Sequence, residues 1–174
     1  LLIASLLTHA ARFSPSREIV SRSAAGARRY GYRARDVRAR KWAKGLQRLG
    51  VRPGDRIASL AWNTHRHFEL FYAVPGLGAV LHTLNPRLWT EQLVYIVNHA
   101  EDSVLCFDPD LLELVEQLAP QLQSVRHFIV LADAEIEQLA LGMIGQSLAL
   151  GALDLLELVD GRAFAVVHAA NAVG

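Results

Sequence analysis

Residues 50 to 88 read GVRPGDRIASLAWNTHRHFELFYAVPGLGAVLHTLNPRL, and this stretch decides the fold. It opens on a turn, Val51-Arg52-Pro53-Gly54-Asp55-Arg56, where proline presets φ and glycine accepts a positive φ. The run Ile57-Ala58-Ser59-Leu60-Ala61-Trp62 behind it is predicted to be a buried strand, because its apolar residues do not alternate with polar ones. Asn63-Thr64 has the side chains of a helix cap, for a helix from His65 to about Leu77 with Pro75 in its last turn. Ala79 to Leu84 is predicted to be a second buried strand, halted by Asn85-Pro86. Strand, helix and strand within so few residues make a parallel crossover unit.

The same alternation continues downstream. Thr90 opens a helix with Leu93, Ile96 and Val97 on one face, ending near Ala100. Ser103 to Phe107 is a third strand, Asp108-Pro109-Asp110 caps a helix from Leu111 to Leu118, and Val125 to Leu131 is a fourth strand. Upstream, Leu1 to Phe13 has helical spacing and stops at Ser14-Pro15-Ser16. Arg17 to Arg22 and Arg28 to Tyr32 form a hairpin turned at Ala24-Ala25-Gly26. From Arg35 onward Val37, Ala39, Trp42, Ala43, Leu46 and Leu49 line one face of a helix that ends at Leu49-Gly50, where glycine supplies the left-handed cap. The predicted fold class is α/β: an open, mostly parallel sheet with helices on both faces, preceded by a small helix and a β-hairpin. Such sheets bind ligands beyond the carboxyl ends of their strands. Here those ends are Trp62-Asn63, Leu84-Asn85-Pro86 and Phe107-Asp108.

Composition narrows the class. At 174 residues, 52% hydrophobic and 20% charged, the chain suits one globular domain and excludes collagenous and disordered classes. Cys106 is the sole cysteine, so a disulfide scaffold is excluded and the thiol is expected to be buried and inert. The apolar opening lacks a basic region before it and a small-residue cleavage pattern after it, which predicts a cytoplasmic protein. The longest charge-free runs, Leu70 to Pro86 and Gln138 to Leu153, are short of the roughly 20 apolar residues that cross a bilayer, so no transmembrane segment is expected.

The net charge of +1 conceals an asymmetry. Residues 1–100 hold 16 Lys/Arg against 5 Asp/Glu, and residues 101–174 hold 2 against 12, giving +11 and −10. Eleven of the cations fall between Arg28 and Arg56. A single-strand nucleic-acid site would interleave aromatics with such a run, and Tyr30, Tyr32 and Trp42 are present. The helical spacing of the apolar residues instead reads as an amphipathic helix with a solvated basic face, so no nucleic-acid partner is expected.

The phrases in this stretch resemble the amino-terminal region of adenylate-forming, or AMP-binding, acyl-CoA synthetases, most of all the bacterial medium- and long-chain fatty-acid–CoA ligase branch. They are Leu49-Gly50-Val51 before Pro53-Gly54-Asp55-Arg56, a strand ending in Ala61-Trp62-Asn63, and Gly78-Ala79-Val80 running into Asn85-Pro86-Arg87-Leu88. Tyr95 to Asp102 (YIVNHAED) and the opening Leu2 to Glu18 are also similar to the family. The resemblance covers residues 1–133 and implies the incomplete amino-terminal subdomain of an adenylate-forming ligase fold. In the complete family it implies ATP, CoA and Mg as cofactors and a fatty acid as substrate. ATP and the carboxylate form an acyl-adenylate with release of pyrophosphate, and the CoA thiol then gives the thioester. A homodimer is also implied by resemblance.

The motifs that carry this chemistry in the family are a Ser/Thr/Gly-rich phosphate loop with a following lysine, a Tyr-Gly-x-Thr-Glu strand and a hinge to a small domain with a catalytic lysine. No Ser-Gly or Thr-Gly dipeptide occurs in this chain, and its last lysine is Lys44. Gly142 to Ser147 lacks the lysine and the strand–turn–helix setting of a phosphate loop, and Asp160-Gly161-Arg162 is too short for one. No catalytic residue is therefore assigned, none of the cofactors is expected to bind this chain alone, and it is expected to be inactive.

Residues 134–174 depart from the family: 9 Ala, 8 Leu, one Arg and no Lys. A frameshift in a GC-rich gene and a genuine divergent ending both fit this composition. Ile136, Leu139, Leu141 and Ile144 have roughly helical spacing. Gly31 stands where the family has a threonine cap, at a cost of a few tenths of a kcal/mol. Gly45 inside the basic helix costs about 1 kcal/mol relative to alanine.

Candidate site residues are few. Trp62, Asn63 and Asn85 lie at strand ends and are the substrate-binding candidates, set against the plainer roles of Asn63 as a helix cap and Asn85 as a turn former. His65 and His67 are two apart and do not share a helix face, so no metal site is assigned. His82 reads as a hydrogen-bonded core histidine. A different class of function is an interaction module that uses the basic 28–56 surface to bind an acidic partner, and a third is a pseudogene product.

Overall fold

The structure is a computed structural model that describes residues 2–23, 26–132, 153–159 and 162–168. The chain divides into two compact units, residues 1–54 with 62–81, and residues 55–61 with 82–174.

The first unit contains α1 (Ile3–Phe13), the hairpin strands β1 (Glu18–Ser23) and β2 (Gly26–Gly31), α2 (Tyr32–Arg48) and α3 (His65–Gly76). The hairpin is antiparallel, with Glu18 opposite Gly31 and Val20 opposite Arg29. Its predicted turn residues Ala24 and Ala25 lie outside the described residues. Helix α2 begins at Tyr32, three residues before the expected start at Arg35, and buries Ala39, Trp42 and Leu46 of the predicted face together with Gly45; Val37 of that face is exposed, and Arg35, expected on the solvated side, is buried. Its end is as expected, with Gly50 at φ +86° and its amide donating to the Gln47 carbonyl. Gly31 precedes the first turn of α2 in extended backbone. A Cβ there would lie 2.5 Å from the Pro15 carbonyl oxygen, so glycine is required by close backbone approach and not only tolerated as a cap.

The second unit is built on β3 (Arg56–Leu60), most of β4 (Val80–Leu84), α4 (Thr90–Ala100), β5 (Val104–Phe107), α5 (Leu112–Leu118) and β6 (His127–Val130). Strands β7 (Leu153–Val159) and β8 (Arg162–His168) complete it. The sheet order is β4-β3-β5-β6-β8-β7. Strands β3, β5 and β6 run parallel in register, Ile57 beside Val104 and Val104 beside His127. β8 pairs antiparallel with β6 and with β7, so the open sheet is parallel at its centre and antiparallel at one end.

One face of this sheet, Ala58, Leu60, Leu105, Phe107, Phe128 and Val130, packs against Leu93 and Val97 of α4 and Leu112, Val115 and Leu118 of α5. Each fully buried leucine or phenylalanine there contributes about 1.5–3 kcal/mol. Ile57, Ser59, Val104, Cys106 and Ile129 on the alternate positions are buried too, so both faces are covered and the strands need no polar alternation.

Four sequence expectations change. Strand β4 is not a buried strand: it lies at the sheet edge, and Val80 and Thr83 are exposed. An edge strand can still read as apolar when one of its faces is covered. The capping of α3 also differs. Thr64, not Asn63, is its N-cap residue, and no side chain caps it. Asp108 likewise makes no side-chain cap; a short 3-10 turn over Pro109–Leu111 leads into α5. The tail supplies β7 and β8, which were not expected. The helical spacing at Ile136 to Ile144 and the glycines of 142–147 lie outside the described residues, as do Asp160 and Gly161.

Candidate functional site

In the first unit, the chain leaving β3 turns sharply at Trp62-Asn63-Thr64, where the Thr64 amide donates to the Trp62 carbonyl at 2.7 Å. Trp62 and Asn63 are exposed side by side. Asn63 lines a shallow hollow of about 200 Å³ with Thr64, His65, His67, Phe68, Phe71 and residues Ile19 to Ser21 of β1. The first turn of α3 has amides with no partner inside the helix. One of them, on His65, donates to the Ser21 hydroxyl at 3.0 Å, in place of the predicted Asn63 cap. Ser21 carries no signal for this in the sequence, since the two residues are 44 apart. Both histidines are buried, His65 stacked on Tyr30 and His67 tilted on Phe71.

Beneath this hollow's helix lies a buried ionic cluster. Arg35 of α2 pairs with Glu69 of α3 through Nη1 and Oε1 at 2.5 Å, both fully buried, and Arg38 Nε reaches the same oxygen at 2.6 Å. The Arg35 guanidinium also stacks over Tyr30 at 4.1 Å. Burial pushes the Arg35 pKa down, opposed by the charge and hydrogen bond of Glu69. The cluster ties α2 to α3 and leaves Arg35 Nε, Arg35 Nη2 and Glu69 Oε2 without hydrogen bonds among the described residues.

In the second unit, Asn85 makes the turn expected of it: its Oδ1 accepts from the Arg87 amide at 3.0 Å, and its carbonyl accepts from Leu88. The turn thus engages Oδ1 of this exposed substrate-binding candidate. Nearby in the same unit, His82 Nδ1 lies 2.7 Å from Asp102 Oδ2, joining the edge strand β4 to the turn between α4 and β5. His82 is thus hydrogen-bonded as expected, but only partly buried, while Asp102 is fully buried. Burial raises the Asp102 pKa, opposed by His82 and by the charge of Arg56. No spacing rule links residues 82 and 102, so the pair carries no signal in the sequence. Cys106 lies in β5 with its thiol pushed up to about 12 by burial, too high for a nucleophile at neutral pH.

The predicted candidates therefore fall in two places. Trp62 and Asn63 are adjacent in the first unit, and Asn85 belongs to the second. Among the described residues no three of His, Cys, Asp and Glu come together as a metal site, and no helix is long and apolar enough to cross a membrane.

Comparison with known proteins assigns this arrangement. The sequence model described as AMP-binding enzyme matches residues 7–147. The 3-methylmercaptopropionyl-CoA ligase of Ruegeria lacuscaerulensis is 48% identical over 132 residues, 75% of this chain and 24% of that protein. The long-chain-fatty-acid–CoA ligase of Thermus thermophilus is 50% identical over 126 residues, 72% of this chain and 23% of that protein. Among solved structures, the N-terminal domain of FACL13 from Mycobacterium tuberculosis superposes with a TM-score of 0.70 at 22% identity, over 97% of this chain and 44% of that one, a likeness of fold. The chain spans about a quarter of the length of the curated relatives it matches. It belongs to the AMP-binding enzyme family, and its sheet and helices correspond to the amino-terminal region of acyl-CoA ligases.

Proposed function

We propose that this chain is the amino-terminal structural part of a fatty-acid–CoA ligase and that the 174 residues alone do not catalyse the reaction. The single observation that carries the reading is the match itself: about half of the residues are identical to CoA ligases over three quarters of this chain, but over only a quarter of theirs. In the complete enzyme ATP and a carboxylate would give an acyl-adenylate and pyrophosphate, and CoA would then displace AMP to give the thioester. Magnesium would screen the triphosphate. The residues present do not fit these groups. Both lysines, Lys41 and Lys44, lie on α2, none follows in the sequence, and the strand ends offer Asn85 and Asp108 without a glycine-rich loop.

The part of the ligase represented here would build the sheet and help to shape the acyl site, with the exposed Trp62 and Asn63 of the first unit and, separately, Asn85 of the second as its substrate-binding candidates. A 3-methylmercaptopropionyl-CoA ligase and a long-chain ligase match this region almost equally, which argues that acyl selectivity is set outside it. A cytoplasmic location and a homodimer belong to the same proposal, the latter tested by light scattering.

The boundary between 1–133 and 134–174 is proposed as the end of ordinary family sequence. Resequencing the coding DNA from Val125 onward and translating all three frames tests it. A second frame that continues into a Ser/Thr/Gly-rich loop followed by lysine supports a frameshifted ligase. Unrelated sequence in every other frame makes the short product, with its β7–β8 strands, the encoded one.

A further inference from the structure

We infer that the open edge of β1 and the adjoining wall of α3 form a groove for an extended acidic peptide, which adds to the hairpin as a further strand. The inference is independent of the ligase reading. The edge follows from the register of the hairpin. The Tyr32 amide donates to the Arg17 carbonyl at 3.1 Å, so the backbone of Arg17 faces β2, and so does that of Ile19 and Ser21. The N–H and C=O groups of Glu18, Val20 and Arg22 therefore point to the other side, where no strand pairs among the described residues. No proline interrupts β1, so this edge presents a regular row of donors and acceptors.

The hollow of about 200 Å³ beside Asn63 runs along the same edge. Its lining comes from β1, α3 and the turn before α3, with no residue of β2, so it opens away from the hairpin partner. Side chains alternate across β1: Ser21 is buried and Ile19 half-buried, whereas Glu18, Val20 and Arg22 are exposed. A residue added opposite Ile19 or Ser21 points to the same side as they do, into the hollow against Phe68 and Phe71. Val20 and Phe71 on its walls are 51% and 43% exposed, apolar area that such a residue covers. In strand addition, main-chain bonds supply affinity and a pocket selects alternate side chains. Charge selects the rest of the occupant. Arg17 and Arg22 are exposed at either end of the edge, and Glu18 is engaged by Arg29 at 3.0 Å. The unit as a whole holds 14 Lys/Arg against 3 Asp/Glu, so acidic flanks around alternating apolar residues fit its field. A second copy paired edge to edge would instead bring two strongly basic units together.

Fluorescence anisotropy of the labelled, end-capped peptide Glu-Glu-Thr-Leu-Thr-Leu-Thr-Glu-Glu with the 174-residue chain tests the inference, and hydrogen exchange places the contact. Binding that salt weakens, with slowed exchange at the Val20 and Arg22 amides, is expected. Methylating the peptide nitrogens of both leucines and the central threonine is expected to weaken binding by about tenfold or more, because main-chain bonds are lost. Replacing both leucines by serine keeps the charge and is expected to weaken it about tenfold. In the protein, Val20→Pro removes one outward amide and spares the hairpin ladder, for an expected loss of about fivefold. The methylated peptide reads the same bonds on the unchanged chain. Phe71→Ala, on the exposed wall, is expected to weaken binding about fivefold. The inference is overturned by no binding, by equal binding of the serine or the methylated peptide, or by protection confined to residues outside β1. A peptide-free dimer in which the Val20 and Arg22 amides are already protected overturns it as well.

Discussion

The two units of this chain solve the same packing problem with different chemistry. The second buries an apolar cluster between a parallel sheet and two helices. The first buries apolar side chains too, Trp42 and Leu46 of α2 and Leu70 and Val74 of α3, but adds among them an ionic group, Arg35–Glu69–Arg38, placed under the ring of Tyr30. Their charges differ as sharply: 14 Lys/Arg against 3 Asp/Glu in the first, 4 against 14 in the second. Net charge divides as sharply by folded unit as by sequence half, +11 against −10 in both cases, so the basic segments 1–54 and 62–81 fold together and the acidic ones with the sheet. Residues 55–61 belong with the sheet although they lie between two basic segments, and residues 62–81 return to the basic unit.

The sharpest way to break this contrast is to remove one partner of the buried ionic group. Glu69→Ala leaves Arg35 buried without its counter-charge and is expected to cost about 3–5 kcal/mol in urea unfolding. Replacing the whole group, Arg35→Met, Arg38→Met and Glu69→Leu, is expected to cost far less, because no member then loses its counter-charge. Equal costs would mean that the pair packs as volume and not as charge. In the second unit the corresponding change is Leu105→Ala, a truncation in a dry core, expected to cost about 3 kcal/mol without rescue by any charged neighbour.

Smaller effects sharpen the picture. Gly31→Ala would press a Cβ on the Pro15 carbonyl oxygen, and a loss of about 1–3 kcal/mol is expected by thermal or urea unfolding. Wild-type stability against that variant within a few tenths would show that the cap role alone governs this position. The weakest expected signal is a pH dependence from Asp102. Burial raises its folded pKa above the ordinary 3.8, so the folded state binds this proton more tightly than the unfolded chain does. Its contribution is therefore fully present below 3.8 and is lost as pH rises through the higher folded value. Unfolding free energies across that acidic window should lose this downward slope in Asp102→Asn, and an unchanged slope would assign it to other groups.

Most of the fold was legible because it rests on local signals. The Pro53-Gly54 turn, the apolar runs of β3, β5 and β6 and the glycine after α2 each announce an element in a few residues. Strand β4 was legible as a strand but not as an edge, since edge position depends on which strands pair and not on the residues of β4. Ser21 satisfying the His65 amide, and Asp102 meeting His82, depend on contacts across 44 and 20 residues. Strands β7 and β8 were missed because Ala/Leu-rich sequence carries helical and extended patterns equally well. Of the site candidates, Asn85 was read correctly as a turn residue. The capping role read into Asn63 passed instead to Ser21, because the geometry of the Trp62–Thr64 turn makes Thr64 the N-cap.

The central claim is that this chain is a structural part of an acyl-CoA ligase and not a working one. Carboxylate-dependent exchange of labelled pyrophosphate into ATP, with octanoate and palmitate in turn, tests it most directly. The account predicts no exchange above the carboxylate-free blank. Exchange that depends on either fatty acid would show that the residues of this chain bind ATP and form the adenylate, and would contradict the account.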